Sequence, residues 1–271
     1  MFTPAQESLF LTLGGRALDS RLPRPFLGDT MADEVLGKTG YDLGKFPGLS
    51  PKMSKVFDIA VRTKRLDEVV RRFVADHPDA VVLDLGAGLD TRIMRVDPPP
   101  TVGWYDIDFP EVVVVRQQVL PEQVSAHSLG ADLTDPNWLH DVPTGRPTVI
   151  VGDGLVGFLP QEAFVALLNR LTGNFPSGEL AFNHYTTYAV RAVKRMRSTA
   201  VIAGGVVNPG FNDPHEPEQW AARLRLVEEI FLTRAPEVAE CSLLARLGIQ
   251  SIGRSAALSR IIGTVVLRYS F

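Results

Sequence analysis

The sequence predicts an α/β fold, one mostly parallel sheet with crossover helices on its faces. Three observations carry this. Short β-branched apolar runs alternate with longer stretches of helical periodicity. The apolar run VVLDL (81–85) passes directly into GAGLDTR (86–92), a strand-to-helix turn built on two glycines. The length, 271 residues, suits one domain of this class with a small insertion or cap.

The elements follow in order. Residues 1–50 carry many Gly and Pro among short apolar pieces, which suggests an N-terminal cover. Helical periodicity runs over 51–75. The first strand, AVVLDL (80–85), is apolar enough to be buried on both faces. Further strands are expected at TVGWYDID (101–108), SAHSLGAD (125–132), PTVIVGD (147–153), GELAFNHY (178–185) and IIGTVVLRYS (261–270). Helices are expected to start near Pro110, Pro160 and Pro236, because proline suits a first helical turn. Residues 195–235 read as a turn-rich loop followed by a helix. A connection of that length is often a lid or substrate wall, so the chain reads as a single domain, 1–271, with a lid over 195–235.

Composition narrows the function. Apolar residues make up 45% and charged residues 22%, and the net charge is −3. The basic pieces VRTKR (61–65) and VRRF (70–73) fit solvated faces of one helix, so nucleic acid is not an expected partner. One cysteine, Cys241, permits no internal disulfide, and no Cys/His spacing resembles a zinc site. No run of eighteen apolar residues spans a membrane, and the first ten residues lack the pattern of a signal peptide. The expectation is a soluble, cytoplasmic protein with neither metal nor membrane partner.

The glycine turn carries the chemistry. A Cβ at Gly86 or Gly88 would obstruct both the sharp turn and a ligand lying against the backbone. Two acids, Asp106 and Asp108, follow at the end of the second strand as candidates to accept the ribose hydroxyls of a cofactor, and Asp108 lies 20 residues beyond Gly88, where a carboxylate meets a ribose diol. A nicotinamide dinucleotide is one candidate ligand. Its fingerprint wants a third glycine, however, and Thr91 stands there with Asp90 before it, an acid that would repel a pyrophosphate. A phosphate-free adenosine ligand fits better. S-adenosylmethionine is one, and its cationic groups suit nearby carboxylates such as Asp84.

Seven pieces then match one family in order: GRALDS (15–20), VRTKRLDEVV (61–70), VVLDLGAGLDTR (81–92), WYDIDFPEVV (104–113), GADLTD (130–135), VIVGDGLVGFLP (149–160) and NPGFNDPHEPEQW (208–220). On these the sequence resembles the S-adenosylmethionine-dependent O-methyltransferases grouped with leucine carboxyl methyltransferase, and within them the branch typified by the tetracenomycin carboxyl methyltransferase. The resemblance implies a Rossmann-like class I methyltransferase sheet of seven strands, mostly parallel, with the last hairpin reversing direction. It also implies a cofactor site. Arg62 would clamp the methionine carboxylate, Gly86, Ala87 and Gly88 would form the loop, and Asp108 would hold the ribose. Asp132 and Leu133 would bracket the adenine. Asp153 stands where the family usually has glutamate, toward the methionine amino group, and Arg16 matches the family's N-terminal basic residue.

A carboxylate acceptor is already a nucleophile, whereas a phenol needs a base within reach. His184 and Tyr185, at the carboxyl end of the fifth strand, are the candidate catalytic residues, with His215 in the lid region as a further one. Phe158, Tyr185, Phe211 and Trp220 are candidates to line an apolar acceptor pocket. The expected activity is O-methylation of a carboxylate or phenolic hydroxyl on a small aromatic or polyketide-like molecule. A protein C-terminal carboxylate, an NAD-linked oxidoreductase and a non-catalytic S-adenosylmethionine-binding protein are the alternatives.

Overall fold

The computed structural model describes residues 3–47, 49–50, 54–121 and 126–271. Two helices come first, α1 (Pro4–Ser20) and α2 (Ala32–Thr39), then the long α3 (Ser54–Asp76). The sheet follows as β1 (Val81–Leu85), β2 (Gly103–Asp108), β3 (Ala126–Gly130), β4 (Thr148–Gly152) and β5 (Gly178–Asn183), with α4 (Arg92–Val96), α5 (Pro110–Val119) and α6 (Gln161–Asn174) between strands. Beyond β5 come α7 (Thr187–Arg195), α8 (Ala200–Ala203), α9 (Glu216–Trp220), β6 (Arg225–Phe231), α10 (Leu243–Gly253), α11 (Ala256–Ile262) and β7 (Val265–Ser270). Residues 51–53 of the expected long helix and residue 125 of the expected third strand lie outside the described residues.

The seven strands stand in the order β3-β2-β1-β4-β5-β7-β6. The first five run parallel, and β7 is antiparallel to both of its neighbours. This is the reversal expected at the end of the chain. β1 lies between β2 and β4, so successive crossovers leave it in opposite directions, and a crevice opens at its carboxyl end. Its five residues are all buried, with Val81, Leu83 and Leu85 packing into one core layer and Val82 into the other.

Several expectations needed correction. The final strand begins at Val265, and Ile261 and Ile262, which were read into it, end α11. Pro236 opens only a 3₁₀ turn (Pro236–Glu240), and the helix starts at Leu243. Residues 225–231, read as part of a lid, form the edge strand β6. Its acids Glu228 and Glu229 and its irregular pairing near Leu226 hid the alternation, features common on exposed sheet edges. The glycines of the N-terminal segment also mislead, since Gly14 and Gly15 sit inside α1. A Cβ on Gly14 would lie 2.6 Å from Leu43 Cδ2, and one on Gly15 2.5 Å from Ile59 Cδ1. Gly15 lets α1 lie close against α3, and Gly14 lets the segment carrying Leu43 and Leu49 lie against α1.

Candidate functional site

At the end of β1 the backbone turns through two left-handed glycines, Gly86 (φ +66°) and Gly88 (φ +51°). Gly86 and Ala87 donate their amides to Ile107 O at 2.8 and 3.1 Å, which ties the turn to β2. Cβ atoms here would meet Leu155 Cδ1 at 3.1 Å and Leu9 Cβ at 3.2 Å. Gly88→Ala therefore has two costs, a left-handed alanine and a push on α1. About 1–2 kcal/mol of stability should be lost, together with S-adenosylhomocysteine affinity, read by thermal melting with and without ligand.

Asp108 closes the loop from the β2 side. Its Oδ2 accepts from Gly88 N and its Oδ1 from Phe109 N, both at 2.7 Å. Burial pushes its carboxyl above the usual range, opposed by these two amides and by Arg116. Asp106, read as a second ribose acid, does not reach the cavity. It lies one pleat deeper, accepting from Trp104 Nε1 at 2.9 Å and from Arg116 Nη2 at 2.6 Å. Since Arg116 Nη1 donates to Gly88 O at 2.9 Å, the Asp106–Arg116 pair supports the loop from below.

Beneath the loop lies a buried ionic network that sequence reasoning did not find. Arg92, 1% exposed, pairs with Asp84 at 2.9 Å, Asp90 at 3.1 Å and Asp67 at 3.5 Å. Arg95 joins Asp67 (2.7 Å), Asp90 (2.8 Å) and Asp29 (2.9 Å). Arg16 reaches Asp29 and Asp90 and donates to Leu89 O at 2.9 Å. The network thus joins α1, α3, β1, α4 and the loop itself. It also corrects the reason given against a pyrophosphate. Burial opposes the charge on Asp90, but Arg16, Arg95 and Arg92 hold its carboxyl well below the usual range, and those three cations offset its repulsion.

Asp84 behaves differently. Burial and the nearby Asp90 and Asp106 push its pKa up to about 7, against Arg92 and Arg116. Asp84 also lines the cavity. As pH rises through 7 this carboxyl loses its proton and favours a cationic ligand over a neutral one. The affinity ratio of S-adenosylmethionine to S-adenosylhomocysteine should therefore rise between pH 6 and 8 in calorimetric titrations. In Asp84→Asn it should stay flat.

Across the cavity, Arg62 on α3 is buried, with Nε 2.5 Å from Asp153 Oδ1 and Nη1 3.8 Å from Asp58. Asp153 also accepts from Thr63 Oγ1 at 2.8 Å. Burial disfavours the guanidinium charge, but Asp153, Tyr185 and Asp58 outweigh it and hold its pKa above the ordinary arginine value. Asp153 occupies one edge of this guanidinium, which also lines the cavity, and a planar cation so placed suits a ligand carboxylate.

His184 is buried, and its Nε2 donates to Phe211 O at 2.7 Å, which fixes that nitrogen as the protonated one. Burial lowers its pKa. Burial also raises the pKa of Tyr185, opposed by Arg62 and by a hydrogen bond with Asn183, so Tyr185 is a protonated phenol and a poor base at neutral pH.

These side chains surround one cavity of about 590 Å³, which Arg62, Gly86, Ala87, Gly88, Asp108, Asp153, His184 and Tyr185 all line. Asp132 and Leu133 are not in its wall. Asp132 is exposed, accepting from Thr134 N at 2.8 Å, and Leu133 packs in the core. They lie just past β3, where Ala131 N bonds Asp108 O at 2.8 Å, so they flank Asp108 along the sheet edge. Of the expected acceptor-pocket aromatics, Phe158 and Tyr185 line the cavity. Phe211 and Trp220 do not, because they pack edge to face at 5.2 Å within the core. His215 is exposed and paired with Glu218. The far wall consists of residues that no motif marked: Lys55 on α3, Leu232, and Ile249, Ile252, Ile261 and Ile262 on α10 and α11.

The polar end of this cavity fits S-adenosylmethionine. The glycine turn leaves room that a Cβ would fill, Asp108 faces it with a carboxylate, and Arg62 offers a cation. Fold and site together define an S-adenosylmethionine-dependent methyltransferase of the Rossmann-like class.

Comparison with known proteins gives the family. The profile "Leucine carboxyl methyltransferase" matches residues 10–172, and the chain belongs to that family. It is 34% identical to the tetracenomycin polyketide synthesis O-methyltransferase TcmP of Streptomyces glaucescens, over 99% of this chain and 97% of that one. The S-adenosyl-L-methionine-dependent methyltransferase dpfgK of Gibberella zeae is 29% identical over 78% and 72% of the two chains. Among solved structures, the plantazolicin methyltransferase BpumL in complex with S-adenosylhomocysteine shares the fold at 12% identity, with a TM-score of 0.51 and 98% of both chains covered.

Proposed function

We propose that the protein methylates a carboxylate or phenolic hydroxyl on an aromatic or polyketide-like small molecule, and that the carboxylate is the better acceptor. The observation that carries this is the mixed lining of one cavity, in which the glycine turn, Asp108 and Arg62 stand with Phe57, Phe158, Ile202, Val206 and the isoleucines of α10 and α11. The polar groups suit the cofactor, and the apolar ones suit the body of an apolar acceptor. TcmP, whose name places it in polyketide synthesis, matches along nearly the whole chain.

In this reading Arg62 holds the methionine carboxylate, Asp108 the ribose hydroxyls and the loop amides the adenosine, with Asp132 and Leu133 along the adenine edge. Bound S-adenosylmethionine supplies a methyl group activated on a sulfonium. The protein's task is alignment, placing the acceptor oxygen in line with the methyl group. α1, from the N-terminal cover, and the part of 195–235 that precedes β6 shield the site from water.

A carboxylate acceptor is favoured because neither candidate base is a strong one at neutral pH. Tyr185 is held protonated, and burial lowers the pKa of His184, which weakens Nδ1 as a proton acceptor while Nε2 donates to Phe211 O. The test is turnover of a panel of aromatic carboxylic acids and phenols with a labelled methyl donor, in wild type and His184→Gln. The reading expects carboxylate turnover with kcat in His184→Gln reduced less than about tenfold, since loss of a general base costs about 10²–10⁴. Turnover of phenols alone, with a loss of that larger size, would assign His184 as the base and a hydroxyl as the acceptor.

A further inference from the structure

All 31 acidic residues of the chain lie outside two segments, 184–211 and 241–271. These segments build α7, α8, α10, α11 and β7, and α11 packs against both α7 and α10. Among the described residues, Arg191, Lys194, Arg195 and Arg197 around α7, and Arg246 and Arg254 on and after α10, form no ion pair. In a chain of net charge −3, this is a segregated positive face.

The same helices expose large apolar side chains. Tyr188, Met196, Ile261 and Ile262 line the cavity and yet are 45–55% exposed, so they mark its opening. Leu243, Leu244 and Leu247 on α10 stand outside the cavity, Leu244 being 84% exposed, and α10 has no fully buried residue. Unpaired cations beside outward leucines are the pattern of helices that lie in the headgroup layer of an anionic bilayer. Pairing of this face with itself in a second copy would set cations against cations.

We propose that this face docks on anionic membrane surfaces, with the cavity opening against the lipid so that an apolar acceptor enters from the bilayer. Among the described residues no helix is long and apolar enough to cross a membrane, so the association is peripheral. It departs from the expectation of no membrane partner. Docking itself does not depend on which group of the acceptor is methylated.

The test is co-sedimentation of the purified full chain with vesicles of phosphatidylcholine alone, or of equal parts phosphatidylcholine and phosphatidylglycerol. Binding should be at least about tenfold stronger to the anionic vesicles. It should weaken sharply between about 50 and 500 mM salt as the Debye length shrinks. The variant R191Q/K194Q/R195Q/R197Q should fall to the phosphatidylcholine level, and L243S/L244S/L247S should bind both vesicles less, each retaining wild-type S-adenosylhomocysteine affinity. If either variant misfolds, the lipid and salt dependence of the wild type decides. Equal binding to both vesicles, or none, would overturn the proposal. So would light scattering that shows a dimer dissociated by the leucine changes, which would assign the face to a second copy.

Discussion

Arg92→Leu should lose about 3–5 kcal/mol of stability, the largest effect of any single change considered. The arginine is 1% exposed and is the shared partner of Asp84, Asp90 and Asp67. Removing it leaves three buried carboxylates with fewer cations, Asp67 fully buried and Asp84 and Asp90 only at the cavity wall. The loss should appear as a lowered denaturant midpoint with an unchanged slope. It should shrink at acidic pH, where the stranded acids take up protons. A drop within about 0.5 kcal/mol, the size of an ordinary surface change, would mean that the network contributes little to folding.

Asp108→Ala and Arg62→Ala should each weaken S-adenosylhomocysteine binding by roughly 30- to 100-fold, because each removes a charged hydrogen-bonding partner worth about 2–3 kcal/mol. The two changes differ in their side effects. Asp108 also accepts from Gly88 and Phe109, so its removal should loosen the loop and lower the melting temperature without ligand. Arg62→Ala leaves Asp153 with only the Thr63 hydroxyl among its former partners, and Arg62→Lys should restore charge but not the two-pronged geometry. Titration calorimetry on the four proteins, each with its melting curve, separates lost contacts from lost structure. Wild-type affinity in both alanine variants would remove these residues from the cofactor site.

The parts of the site that were legible are those with a backbone requirement or a strong period. Gly86 and Gly88 show themselves because only glycine is at ease in the left-handed turn, and β1 because four apolar residues surround a single acid, Asp84, in a fully buried run. Asp108 was found by spacing, but spacing could not separate it from Asp106. Both lie on the same face of β2, and only the packing of Arg116 shows that Asp106 sits below the loop. The arginines of the network carry no local signal of their burial. Arg16 and Arg92 fall within matched motifs, but only the packing of α1, α3 and α4 shows which acids they and Arg95 meet. The acceptor wall on α10 and α11 was hidden for a similar reason, since Ile261 and Ile262 follow one another as a strand would and precede a true strand. Phe211 and Trp220 show the reverse, aromatic residues near the site in sequence whose rings find a better partner in each other.

The link from Arg16 to Leu89 has a consequence for the order in which the chain assembles. α1 is made before the sheet, yet the carbonyl that Arg16 grips lies 73 residues later, and the acids it pairs with come from residues 29 and 90. Contacts of such separation are slow to form because the intervening chain must first be ordered. A helix synthesised before the sheet is thus among the last pieces to lock, and the glycine turn reaches its final shape only when that helix returns to it.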